Sequence, residues 1–268
     1  MITTKTTTTG TNIDHEEIFE NWKPLFSGCK RLSDLSAIDD IVDEFIKQGD
    51  MKTAAELNLA ICMFALELEQ KKPKTNVIEH VINDERWGEC IIEVSNVFTL
   101  EECQNLLKGC TEYEPALINV GEGQQELDTD YRKCSRCIRD EPDTANFIYD
   151  RIKEFIPEVS EHETSKPIGL NERLRFLRYF SGDYFKPHQD GSYSDENRVS
   201  YLTLQVYLNE DFKGGATMFK NGPDMLSIKP KTGSIIIFDH SLWHEGEIVQ
   251  SGIKYCLRTD VMYLKECT

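Results

Sequence analysis

The sequence predicts an α+β protein: an antiparallel double-sheet barrel with helices against one side, preceded by a helical N-terminal segment. Three observations predict it. Apolar residues at helical spacing fill the first quarter of the chain. Strand-like runs dominate from Glu172 onward. Helices come first and strands after, without the strand–helix alternation that builds a parallel sheet.

Each element follows from local pattern. MITTKTTTTGTN is a low-complexity threonine tract, so residues 1–13 are expected to be a disordered tail. Residues 14–75 form the helical N-terminal segment. Leu35, Ile38, Val42 and Phe45 recur at helical spacing, and Gly49 is a stop signal. Leu57, Ile61, Phe64 and Leu68 make a second stripe, ended by Lys71-Lys72-Pro73. The two stripes are expected to pack on each other and on the domain that follows. KKPKTNVIE marks the boundary, and residues 76–268 form the main domain. CIIEVSNVF (90–98) reads as a strand. Thr99 then caps a helix, with Glu102 completing a capping box and Leu100, Cys103 and Leu107 facing inward. GEGQQELDTDYRKCSR (121–136) reads as a polar loop. Asp143 to Phe155 reads as a helix with Phe147, Ile148 and Ile152 on one side, ended by Pro157. Four strand runs follow: RLRFLRYF, SYLTLQVYL, GSIIIFD and KYCLRTDVMY. Turn signals separate them at Ser181-Gly182-Asp183, Gly214-Gly215, Asn221-Gly222-Pro223 and Ser251-Gly252.

Composition excludes several classes. The net charge of −17 argues against binding to duplex nucleic acid and to anionic membranes, and on its own suits a neutral or basic substrate. No apolar run reaches the roughly 18–20 residues that span a bilayer, and the N-terminus has no apolar core of a secretory signal. The expected location is intracellular: cytoplasmic, with the nucleus as an alternative. Oligomeric state is not legible. The nine cysteines are irregularly spaced and read as reduced, buried thiols. Cys134-Ser135-Arg136-Cys137 lacks the second pair that a zinc site needs, so it reads as structural.

The chemistry concentrates in the strands. Alternation in SYLTLQVYL puts Leu202, Leu204, Val206 and Leu208 on one face, and Tyr201, Thr203, Gln205 and Tyr207 on the other. The second face is polar and aromatic, which suits a cavity wall. In RYFSGDYFKPHQDGSY, His188 and Asp190 are i and i+2 on an extended segment, so an imidazole and a carboxylate can aim at one point. A 2-His-1-carboxylate site needs a second histidine. His240 and His244, in IIIFDHSLWHEGEIVQSGIKYCLR, both follow a buried-looking strand. Lys254 and Arg258 are i and i+4 on the next strand and share a face. A cation fixed inside a barrel carries a large desolvation cost unless an anion meets it. An anionic co-substrate with a distal carboxylate would be that partner, with Tyr207 as a hydrogen-bond donor to it.

RYFSGDYFKPHQDG, YLTLQVYLNEDFKGGATMF and PKTGSIIIFDHSLWHEGEIVQSGIKYCLRTDVMY together resemble the catalytic core of the 2-oxoglutarate/Fe(II)-dependent dioxygenases, in the prolyl 4-hydroxylase-type branch. The resemblance runs over about residues 85–265 and leaves residues 1–75 outside it. It implies a double-stranded β-helix, or jelly roll, with Fe(II) held by His188, Asp190 and His244. The choice of His244 over His240 follows from the family's basic residue, which falls about ten positions after the distal histidine, at Lys254. The same resemblance puts the distal carboxylate of 2-oxoglutarate on Lys254, assisted by Tyr207, with Tyr179 beside the co-substrate. Arg258 is left open between co-substrate and substrate, because several family members carry a smaller residue there. O2 is the second co-substrate and ascorbate an accessory reductant. No protein general base is required.

The implied reaction is hydroxylation of an unactivated C–H bond with release of succinate and CO2. The substrate class implied by the branch is a prolyl or other side chain of a protein or peptide. A small metabolite or free amino acid is the alternative within the same chemistry, and a non-catalytic binding module is the alternative outside it. SYSDENRV (192–199) reads equally as a mobile lid or a surface loop. His15, His80 and His162 have no supporting context.

Overall fold

The computed structural model describes residues 15–27, 29, 35–71, 75–81, 90–121, 124–157, 166–221 and 224–265. The tail over residues 1–13, and His162, lie outside them. The chain divides into two compact units, Met1–Pro73 and Lys74–Thr268.

The first unit is helical: α1 (His15–Trp22) with a 3-10 turn (Lys23–Phe26), α2 (Ser36–Lys47) and α3 (Met51–Lys71). Its core gathers Phe19, Phe26, Leu35, Val42, Leu57 and Phe64. Phe26 stacks on Phe64 with ring centroids 4.6 Å apart. Gly49, at φ +80°, ends α2 as the sequence predicts. Asp50 then starts α3 by accepting from the Thr53 backbone N–H at 3.1 Å.

The second unit is sheet-dominated, and every strand pairing is antiparallel. A nine-stranded sheet has as its central strands Ile235–Asp239, Arg198–Tyr207, Lys254–Leu264 and Arg173–Tyr179, in that order. A five-stranded sheet is built from Asp224–Ile228, Thr217–Asn221, His244–Gly246, Tyr184–His188 and Arg132–Lys133, in that order. The large sheet is buried on both faces; Ile235–Asp239 reads as a near-continuous apolar run, whereas Arg173–Tyr179, Arg198–Tyr207 and Lys254–Leu264 alternate apolar with polar residues. Leu204, Val206 and Leu257 on one face pack under α4 (Leu100–Leu107) and α5 (Pro142–Ile152), against Cys103, Ile148 and Ile152. Leu177, Tyr207, Ile236 and Cys256 on the other face meet Phe219 of the small sheet. Each fully buried Leu or Ile contributes about 1.5–3 kcal/mol.

The capping box at α4 forms as expected. The Thr99 N–H donates to Glu102 Oε2 at 2.8 Å, and the Glu102 N–H donates to Thr99 Oγ1 at 3.2 Å. Its inward face is Cys103 and Leu106, whereas Leu100 is 60% exposed. On α5, Ala145, Ile148 and Ile152 are buried, and Phe147 is out of phase with them, exposed beside Phe98. Several stretches not read as strands are strands, Ser135–Asp140, Pro167–Leu170 and Thr217–Asn221 among them. Asn76–Val81 adds an edge strand to the large sheet, and 121–136 contains Gln124–Glu126 and Arg132–Lys133. Asn76–Val81 pairs with the next strand, Cys90–Ser95, and Gln124–Glu126 with Ile118–Gly121, whereas Arg132–Lys133 pairs with the distant Tyr184–His188. The Cys134 and Cys137 side chains fall into different core clusters, and both thiols are free. No helix among the described residues is long and apolar enough to cross a membrane.

Candidate metal centre

His188 and His244 stand directly opposite each other on neighbouring strands of the small sheet. That register is how two residues 56 positions apart in the sequence meet. Asp190 lies just past the strand end, where its N–H donates to the His240 carbonyl at 2.9 Å and turns the segment inward. One ligating atom from each of His188, Asp190 and His244 lies within 4.8 Å of the others. Nε2 of His188 is 3.9 Å from Asp190 Oδ1, and Nε2 of His244 is 3.7 Å from Oδ2. Both separations are too long for a hydrogen bond and are compatible with a shared ion.

Each imidazole is oriented by the backbone two residues before it. Nδ1 of His188 faces the Lys186 carbonyl at 2.8 Å, and Nδ1 of His244 faces the Leu242 carbonyl at 2.9 Å. A carbonyl only accepts, so Nδ1 carries the proton and Nε2 keeps its lone pair. Phe185 stacks on His188 with centroids 3.5 Å apart, and Phe238 meets His244 edge-on. Burial, with His244 adding to it, pulls the His188 pKa down to about 3. Burial lowers His244 as well. For Asp190, burial pushes the pKa up, but Arg258, His244 and His188 outweigh it and hold the carboxyl well below the usual range. Two neutral imidazoles and one ionised carboxylate match the donor set of a 2-His-1-carboxylate site. The residues present therefore fit Fe(II).

Asp190 is itself held. Thr203 Oγ1 donates to its Oδ2 at 2.6 Å, and Arg258 Nη2 lies 3.0 Å from its Oδ1. His240 stands behind this pair. Thr203 has one proton and gives it to Asp190, so its oxygen accepts from His240 Nδ1–H at 2.9 Å. His240 Nε2 then accepts from Ser200 Oγ at 2.9 Å. Both ring nitrogens are occupied, and His240 lies outside the cluster of three.

His188, Asp190 and His244 open on a cavity of about 340 Å³, near the lower end of ligand pockets, ~300–1,000 Å³. Tyr179, Lys254 and Arg258 line it. Lys254 is buried at 3% exposure, with its Nζ donating to the Gly215 carbonyl at 2.7 Å. Gly214 and Gly215 have φ of +72° and +68°; a Cβ on Gly214 would come within 2.4 Å of the Ile248 carbonyl oxygen. Among the described residues no carboxylate lies within 4.0 Å of the Lys254 ammonium, and burial lowers its pKa. The rings of Tyr179 and Tyr207 flank it, with centroids 5.4 and 5.6 Å away.

Tyr207 is fully buried, and its hydroxyl meets Thr217 Oγ1 at 2.7 Å. Thr217, which also accepts from Gln205 Nε2 at 3.1 Å, presents the hydroxyl that lines the cavity. Tyr201 departs from the expected cavity face. A register shift between Ser200 and Leu202 takes it out of alternation, and it packs beside Tyr263 instead. The 192–199 segment is tied down: the Asp195 carboxylate accepts from the Asn197 and Arg198 N–H groups, and Arg198 pairs with Glu172 at 2.8 Å. Sequence reasoning missed Arg132, Arg175 and Asp260, which also line the cavity. Arg175 is four residues from Tyr179 on one strand, so the i, i+4 rule that joins Lys254 to Arg258 was a usable signal.

Residues 174–259 match the model of the 2OG-Fe(II) oxygenase superfamily. A provisionally named prolyl 4-hydroxylase of Acanthamoeba polyphaga mimivirus is 31% identical over 81 residues, covering 27% of this chain and 33% of that protein. The chain thus spans about a third of the length of this curated relative. Among solved structures, the viral collagen prolyl hydroxylase of Paramecium Bursaria Chlorella virus-1 aligns with a TM-score of 0.45 at 21% identity, covering 64% of this chain and 95% of the other. A Pseudomonas putida prolyl-4-hydroxylase aligns with a TM-score of 0.46 at 15% identity, covering 66% and 92%. Residues 174–259 thus resemble the 2OG-Fe(II) oxygenase superfamily, and the curated protein that the chain matches over 81 residues is named as a prolyl 4-hydroxylase.

Proposed function

We propose that this chain is an Fe(II)- and 2-oxoglutarate-dependent dioxygenase that hydroxylates a side chain of a protein or peptide, with proline as the leading candidate. One observation carries the reading: a cluster of two neutral imidazoles and a carboxylate opens on the same cavity as a buried ammonium with no acid within 4.0 Å among the described residues, Glu247 acting on it only from further off. In this reading residues 76–268 are the catalytic domain, and its two sheets are the walls of a jelly roll. Residues 14–75 are a helical appendage and residues 1–13 a tail.

The residues then have separate tasks. His188, Asp190 and His244 hold the iron through Nε2, a carboxylate oxygen and Nε2. Bound iron would activate dioxygen so that decarboxylation of 2-oxoglutarate to succinate and CO2 accompanies insertion of one oxygen atom into a C–H bond. Lys254 receives the distal carboxylate of 2-oxoglutarate as a charge-assisted hydrogen bond. Tyr179 and Thr217 shape that end, and Tyr207 fixes the Thr217 hydroxyl. Thr203 and Arg258 orient Asp190. Phe185, Phe219 and Phe238 exclude water from the imidazoles. Ascorbate serves as accessory reductant.

The test is anaerobic titration of the full chain with Fe(II) and then 2-oxoglutarate, followed by a succinate assay in air with candidate peptides. Stoichiometric binding of both and a one-oxygen mass gain on a peptide are expected. Absence of 2-oxoglutarate binding to the iron-loaded protein refutes the reading.

A further inference from the structure

The cavity is a basic well in an acidic protein. The chain carries −17 overall, yet Arg132, Arg136, Arg175, Lys254 and Arg258 line the cavity against Asp190, Glu245 and Asp260. Lys254 has a partner in the reading above. Arg136 pairs with Glu114 at 3.2 Å, whereas Arg175 and Arg258 draw on the same acid.

Arg175 and Arg258 are directly opposite each other on paired strands. Like charges so placed are destabilising. Lys254 pairs with Tyr179 in the same ladder, so the arginine pair lies four residues, or about 13 Å, further along. The two arginines share one acid: Asp260, 2% exposed, is 3.3 Å from Arg175 and 3.5 Å from Arg258, and also accepts from Asn171 at 3.3 Å. The other acid beside Arg258 is Asp190, whose charge is largely taken up once it ligates a divalent ion. Arg258 Nε is buried with no hydrogen-bond partner among the described residues. Arg132, which donates from Nε to Cys134 Sγ at 3.2 Å, adds a cation with no carboxylate within 4.0 Å among those residues. Once Asp190 ligates an ion, Arg175 and Arg258 have one other carboxylate, Asp260, between them among the described residues.

We infer that the substrate presents a carboxylate to Arg258 and Arg175, four residues along the ladder from Lys254 and beside Asp190. This rests on the dioxygenase reading and adds the substrate's charge to it. The overall acidity of the chain points the other way, toward a neutral or basic substrate; the local field inside the cavity is the one a bound substrate feels. Two sources carry the chemistry: an acidic residue flanking the modified one in a peptide, or the carboxylate of a free amino acid.

The test is anaerobic binding to the full chain loaded with Fe(II) and 2-oxoglutarate. The probes are three fluorescent peptides differing only in the residues flanking a central proline, which are glutamate, glutamine or lysine. Free proline and free glutamate serve as competitors. The glutamate peptide is expected to bind at least about tenfold tighter than the glutamine peptide, and the lysine peptide weakest. Arg175→Gln should bring the glutamate-to-glutamine ratio close to one, and Arg175→Lys should restore part of it. If a free amino acid binds and no peptide does, the inference holds with the free acid as the source. Equal binding of the three peptides without competition by either amino acid, or a preference for lysine, overturns it. The 2-oxoglutarate titration of the same wild-type sample reports separately: normal binding there with no anion preference sinks this inference alone, and no binding there sinks the dioxygenase reading.

Discussion

Lys254 and Arg258 share one face of one strand, four residues apart, and their surroundings are opposite. Lys254 is 3% exposed and, among the described residues, its ammonium donates a hydrogen bond only to a neutral carbonyl. Arg258 lies 3.0 Å from one carboxylate and 3.5 Å from another. A buried cation without an acid lowers stability, whereas one that joins two acids is part of the structure that orients them. The difference teaches how to tell a cation left whole for a ligand from one whose charge is already shared with two acids and that keeps only its Nε–H unpaired. Neither the sequence spacing nor residue type makes that distinction; the partners do.

The largest way to break the comparison is at Asp190, the acid that Arg258 touches and Lys254 does not. Asp190→Ala should abolish iron binding and reduce succinate release by at least about a thousandfold. Iron quantification after desalting is the check, and a variant that keeps stoichiometric iron contradicts the ligand set.

The second test changes each cation alone. Lys254→Met should weaken 2-oxoglutarate binding by about 10- to 100-fold. It should also stabilise the apo protein, because a lone buried charge is replaced by a side chain of similar volume. Arg258→Met should destabilise by about 3–5 kcal/mol, since Asp190 and Asp260 lose a shared partner. Calorimetric 2-oxoglutarate titration and chemical denaturation of both variants read this out. If Lys254→Met leaves 2-oxoglutarate affinity unchanged and Arg258→Met destroys it, the assignments exchange.

How far such contrasts can be read from sequence depends on the range of the interaction. His188 with Asp190, and Lys254 with Arg258, were legible because period-two alternation is local. Arg175 was equally accessible from Tyr179 and was passed over. The bulge that removes Tyr201 from the cavity face was not accessible, because nothing in SYLTLQVYL distinguishes an extra residue from a regular one. The Thr203–Asp190 and His240–Thr203 contacts were hidden for another reason. They join segments that only the folded sheets bring together. The strand at Asn76–Val81 was hidden by its place at the sheet edge, where the adjacent Val77 and Ile78 are both exposed and no period-two alternation marks a buried face.

A smaller effect sharpens the metal end. The His188 pKa is depressed to about 3 in the fold, against the ordinary value of 6.5 in the unfolded chain. Between those two values the unfolded chain binds the extra proton, so stability rises with pH across that window and falls as pH drops below about 6.5. At pH 5 the loss from this one residue is about 2 kcal/mol. Denaturation of the apo protein at pH 7.5 and pH 5 measures it. His188→Gln should flatten the dependence by about that amount; an unchanged slope would place His188 in solvent.

The smallest effect is expected at His240, and it separates a ligand from a support. His240 donates through Nδ1 to Thr203, and Thr203 donates to Asp190. Removing the imidazole leaves the Thr203 hydroxyl free to keep its own bond to the carboxylate. His240→Gln should therefore keep iron at full stoichiometry, with affinity weakened only a few-fold. Thr203→Val removes the bond to Asp190 itself and should cost about tenfold. The ordering is the point: Thr203 must matter more than His240, because it stands one bond closer to the metal ligand. Iron competition against a chelator measures both variants together. If His240→Gln loses iron while Thr203→Val retains it, His240 is a ligand and His244 is not.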